Sequence, residues 1–162
     1  MRVTIIADAS FCPNTGVAGY GFWIAGERGK QGGEGAMKGL CDTNSTAEMQ
    51  ALVNALHIAV RAGLVSQGDA VLLQTDCEAA IQAFEGTRKR LSELEHATKQ
   101  AMKHLRHTFA LSLEYRHVKG HSKSTEARYA ANNHCDRGAR RAMRKARTLH
   151  LQQTKQGDHN ET

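Results

Sequence analysis

Residues 2–26, RVTIIADASFCPNTGVAGYGFWIAG, decide the fold, because apolar positions recur every second residue on either side of a turn. In 2–9, Val3, Ile5 and Ala7 fall on one side and Thr4, Ile6 and Asp8 on the other, which predicts a largely buried strand. SFCPNTG carries the only proline and an Asn-Thr-Gly triplet, the composition of a turn. VAGYGFWIAG returns as a second strand with Tyr20, Phe22 and Ile24 on one face. After the glycine-rich stretch to Gly35, AMKGL (36–40) reads as a third strand, so the chain opens with an antiparallel meander.

The period then changes. From Ser45 to Arg61, Leu52, Ala55, Leu56 and Ala59 mark one helical stripe, with Gly63 as its stop. AVLLQT (70–75) has the length and apolarity of a strand, and CEAAIQAF is a short helix broken by Gly86. A longer polar helix is expected over 88–107 and a fifth strand at LSLEYRHV (111–118). The loop KGHSKSTE leads to a last helix ending near Arg147, and the polar tail 148–162 is expected to be disordered. The order β-β-β-α-β-α-α-β-α predicts an α/β domain, a five-stranded mixed sheet with helices on both faces.

At 162 residues and 17.7 kDa the chain suits one domain with a substantial core. It has no apolar run of the roughly 20 residues that cross a bilayer, and MRVTIIADAS does not have the form of a signal peptide. The expectation is a cytoplasmic protein without a membrane partner. The cysteines at 12, 41, 77 and 135 form no CxxC pair, which argues against a zinc cluster and for reduced thiols. The formal charge of +6 suits a polyanionic partner. It is concentrated in RGARRAMRKAR (137–147), with a smaller cluster at Arg88, Lys89 and Arg90.

Four acids stand out against that basic background. Asp8 lies in a strand, where aspartate is depleted. Glu48 fits a capping box, Ser45-Thr46-Ala47-Glu48, yet lies four and seven residues before Leu52 and Ala55, on the stripe that faces the sheet. Asp76 follows AVLLQT directly, as an N-cap or at the strand end where ligand sites of open sheets gather. Asp136 sits in an arginine-rich helix and can pair with Arg140 one turn on. If these carboxylates converge, their mutual repulsion calls for divalent cations. An all-oxygen donor set favours Mg²⁺ or Mn²⁺ over zinc.

Four motifs follow in order over residues 1–147: Asp8-Ala9-Ser10-Phe11-Cys12-Pro13-Asn14, Thr43-Asn44-Ser45-Thr46-Ala47-Glu48, Leu73-Gln74-Thr75-Asp76, and Val118-Lys119-Gly120-His121 followed by Asn133-His134-Cys135-Asp136. In these the sequence resembles ribonuclease H type 1. The resemblance implies a ribonuclease H-like domain over 1–147. It also implies a metal-dependent endonuclease cutting the RNA strand of RNA–DNA hybrids with two Mg²⁺ ions, Mn²⁺ being a possible substitute, and leaving 3′-hydroxyl and 5′-phosphate ends.

By the same resemblance Asp8, Glu48, Asp76 and Asp136 are catalytic metal ligands, and His121 handles a proton or product release. Ser10, Asn14, Thr43 and Asn44 are substrate-contact positions, the asparagine amides suiting a 2′-hydroxyl that both donates and accepts. The sequence departs from the family with Ala9 where glycine is common, Ser45 where a second asparagine often sits and Glu78 for a frequent glutamine. It also lacks the tryptophan-bearing basic protrusion of many cellular members, which implies either a weaker grip on the DNA strand or a grip supplied by the arginine-rich last helix. The rival readings are a DNA-directed nuclease of the same superfamily and a non-catalytic module that binds hybrid or RNA. With no heptad pattern, a monomer is expected.

Overall fold

The computed structural model describes residues 1–120 and 126–159. Five strands, β1 (Arg2–Phe11), β2 (Ala18–Gly26), β3 (Gly29–Ala36), β4 (Ala70–Thr75) and β5 (Ser112–His117), form one sheet in the order β3-β2-β1-β4-β5. β1 pairs antiparallel with β2 and parallel with β4; β2–β3 is antiparallel and β4–β5 parallel. The helices are α1 (Asn44–Arg61), α2 (Glu78–Glu85), α3 (Glu93–Thr108) and α4 (Ala127–His159). The expected mixed α/β architecture is the one observed.

Alternation along β1 sorts the two layers. Val3, Ile5 and Ala7 join Leu52, Ala55 and Leu56 of α1 in the main core, with Phe22 and Ile24 from β2. The opposite face belongs to α4. Gly21, the register partner of Asp8, leaves no room for a side chain: an added Cβ would stand 2.1 Å from the Cys135 carbonyl oxygen. At Gly19 it would stand 2.4 Å from the Met143 amide nitrogen. Backbone therefore lies on backbone where α4 crosses β2, and this contact delivers the helix to the β1 carboxylate.

The third strand is Gly29–Ala36, not 36–40. Its glycines hid it from a reading based on alternating side chains. They are required because aromatic rings of β2 lie across them: a Cβ at Gly32 would meet the Trp23 ring at 2.7 Å, and one at Gly33 the Phe22 ring at 2.7 Å. Both pairs are in register.

Helix α3 begins at Glu93 rather than 88, because the Ser92 hydroxyl caps it by accepting from the Glu95 amide at 3.2 Å. Arg88 is drawn aside to the Ser45 hydroxyl (2.9 Å) and Glu95 (3.0 Å). The last helix does not stop near Arg147 but runs to His159, so the segment read as a disordered tail is helical that far. Residues 148–156 are polar apart from Leu149 and Leu151 but contain no glycine or proline, and Thr148 and Thr154 bond back to the Arg144 and His150 carbonyls. Among the described residues no helix is long and apolar enough to cross a membrane.

Gly21→Ala is expected to force α4 off the sheet and lower stability by roughly 3 kcal/mol. Urea denaturation of the two proteins checks this; equal midpoints would show that the crossing is slack.

Candidate carboxylate metal centre

Asp8, Glu48 and Asp76 meet at the ends of β1 and β4. One carboxylate oxygen from each lies within 4.8 Å of the other two. Asp8 and Glu48 are only 3% and 4% exposed, whereas Asp76 is half-buried and opens the group to solvent. One amide holds the buried pair: the Ala9 N–H donates to Asp8 Oδ1 (3.0 Å) and Glu48 Oε2 (3.1 Å).

Glu48 thus closes no capping box. The N-cap of α1 is Thr43, whose hydroxyl accepts from the Thr46 amide at 3.1 Å, and Glu48 lies a turn further in, aimed at the sheet. Asp76 is not a cap either, since α2 starts from Cys77 without a side-chain cap bond. Its backbone carbonyl accepts from His117 Nε2 at 3.1 Å.

Asp136 stands apart from the three-acid group. Its Oδ1 accepts from Arg140 Nε at 3.1 Å, the i,i+4 pair the sequence allowed. Even so, it is near enough to act on Asp8. Burial, then Asp76 and Asp136, push the Asp8 carboxyl up to about 7. Burial first, then Asp8 and Asp76, raise Glu48 well above the usual range for glutamate. Two buried acids facing a third can ionise together only beside positive charge. Their free oxygens, with no nitrogen or sulfur donor in the group, fit a hard divalent cation.

The substrate-contact candidates lie on the segments that carry Asp8 and Glu48, from the end of β1 into its turn and at the start of α1. Asn14 is exposed in the β1–β2 turn, Asn44 is the exposed first residue of α1, and Ser10 is half-buried near the end of β1. The Cys41 amide donates to the Gly16 carbonyl at 2.7 Å, tying the Asn14 turn to the segment leading into Thr43 and Asn44. Thr43 also donates to Glu95 Oε1 at 3.4 Å, so a buried acid of α3 steadies the start of α1. Sequence reasoning missed Glu95, although Ser92-Glu93-Leu94-Glu95 has the form of a capping box. His121 lies outside the described residues.

Gly120 was also missed. A Cβ there would stand 2.5 Å from Asp76 Oδ2, so the carboxylate rests directly against the loop backbone. The signal was the glycine in VKGH, quoted as a motif residue but given no role of its own.

Residues 1–144 match the family model for RNase H. The chain belongs to the RNase H family. It is accordingly a ribonuclease H, a nuclease that binds nucleic acid. Among solved structures it is similar to RNase H1 from the halophilic archaeon Halobacterium salinarum NRC-1, at 22% identity and a TM-score of 0.70 over 90% of this chain and 99% of that one. It is also similar to the N-terminal RNase H domain of Rv2228c from Mycobacterium tuberculosis, at 26% identity and a TM-score of 0.68 over 91% and 97%. A third is LC11-RNase H1 in complex with an RNA/DNA hybrid, at 23% identity and a TM-score of 0.68 over 89% and 98%. No curated protein sequence matches the chain significantly.

Two outcomes follow from the geometry. Because the folded Asp8 binds its proton more tightly than the unfolded one, metal-free protein loses stability as pH rises from about 4 to 7. Asp8→Asn in EDTA should therefore melt several degrees above wild type at pH 8 and alongside it at pH 4. A lower melting temperature at pH 8 would contradict the stated electrostatics. Gly120→Ala, by displacing Asp76, should weaken Mn²⁺ binding about tenfold by calorimetry with the fold intact.

Proposed function

We propose that this ribonuclease H is an endonuclease hydrolysing the RNA strand of RNA–DNA hybrids, leaving 3′-hydroxyl and 5′-phosphate ends. The observation that carries the reading is the convergence of Asp8, Glu48 and Asp76 into one all-oxygen group in a chain of this family. A similar protein, LC11-RNase H1, was solved in complex with an RNA/DNA hybrid, which favours hybrid over duplex DNA as the substrate class.

In this reading Asp8, Glu48 and Asp76 hold a pair of Mg²⁺ ions, with Mn²⁺ as a substitute, and Asp136 is the fourth ligand. Ions bound there would activate water and offset charge on the phosphodiester. The chain's own part is to prepare that place. The Ala9 amide fixes two carboxylates, Gly120 leaves space for the third, and Arg140 holds Asp136 until an ion competes for it.

Asn14 and Asn44, with Ser10 and Thr43, contact the hybrid on either side and read 2′-hydroxyls and shape rather than base sequence. His121 serves proton handling or product release. We take 1–147 as the nuclease domain, acting as a cytoplasmic monomer.

The test is Mg²⁺-dependent cleavage of a labelled hybrid beside duplex DNA and duplex RNA. Only the hybrid should be cut, EDTA should stop the reaction, and Asp76→Asn should lower kcat by roughly a thousandfold. Preferential cutting of duplex or branched DNA, or tight binding without turnover, would overturn the proposal.

A further inference from the structure

The basic charge of α4 is unevenly placed. Its lysines and arginines are Arg128, Arg137, Arg140, Arg141, Arg144, Lys145, Arg147 and Lys155, so six of the eight fall within 137–147. A helix made cationic only for solubility would have no reason to concentrate them there. This is the part of α4 that leaves the carboxylate centre and passes the end of β1, since Cys135 lies over Gly21 and Met143 over Gly19.

Within this segment one stripe has both ends fixed. Asp136, Arg140, Arg144 and Arg147 are spaced i, i+4, i+8 and i+11, along one side of a helix. At one end Arg140 holds Asp136, whose charge reaches Asp8. At the other, Arg147 Nη1 donates to Cys12 Sγ at 3.8 Å, in the chain just before the turn that carries Asn14. Arg144 lies between them, exposed, its guanidinium with no partner among the described residues. By contrast, Arg88 of the other basic cluster is already committed to Ser45 and Glu95.

We propose that the Arg140–Arg144–Arg147 stripe is a track for the phosphodiester backbone of the bound hybrid, running from the carboxylate centre to the β1–β2 turn. From Arg140 to Arg147 the helix rises about 10 Å, close to the rise of three nucleotide steps. A polyanion approaching a centre of carboxylates is repelled by them, and a guanidinium row beside that centre offsets the repulsion. Arginine suits the task because its planar fork matches phosphate oxygens. The contacts are to backbone only, so they confer grip without sequence preference.

This rests on the hybrid being the substrate, and the test separates the two claims. Binding of a labelled hybrid to the full chain is followed by anisotropy through a KCl series, with Ca²⁺ replacing Mg²⁺, beside a separate Mg²⁺ cleavage assay. Arg144→Ala should reduce the slope of log K against log salt by about 0.9, and Arg144→Ala/Arg147→Ala by about twice that, whatever the base sequence. Arg144→Ala/Arg147→Lys should match Arg144→Ala alone, separating charge from the Cys12 contact. A double variant with the wild-type slope and Kd overturns the track. A wild type that binds hybrid but cuts none overturns the proposed function, while the slopes still decide the track; one that binds no hybrid overturns both.

Discussion

A single backbone amide does an unusual share of the organising. The Ala9 N–H serves two carboxylates that burial and like charge would otherwise drive apart, and it is presented by the central part of the sheet. Every other feature of the centre is arranged around that pair. Helix α1 must bring Glu48 in from one face while α4 brings Asp136 from the other. β4 must end in time for Asp76 to emerge between them. An isolated peptide could not hold such an arrangement, because each carboxylate would turn to water. Here the core behind Val3, Ile5 and Ala7 supplies the force that keeps them together.

Much of this could be read from the chain beforehand, and the reasons are local. β1 shows itself by alternation, α1 by its leucine and alanine stripe, and Asp76 by standing directly after an apolar strand-length run. Glu48 is the instructive case. Its capping-box reading and its inward-facing reading were both consistent with the sequence. Only the position of the true cap, Thr43, decides between them, because it makes Glu48 the fifth helical residue, too far in to close a capping box.

The misreadings have equally specific causes. β3 has glycines where a strand usually shows side chains, because the bulk filling that space comes from Phe22 and Trp23 on its neighbour. The end of α4 looked like a tail because its residues are mostly polar, but polarity argues against burial and not against helix. Gly120 and Glu95 matter through what they touch. Neither the space beside Asp76 nor the reach from α3 to Thr43 is written in one-dimensional spacing.

The seating of α4 has a geometric consequence. At 33 residues the rod is about 50 Å long, and its closest seating on the sheet is confined to its first half, at Gly21 and Gly19. Asp136 lies within that seat, next to Cys135, so the backbone contact that sets the helix on the sheet also sets the height of the fourth acid above Asp8.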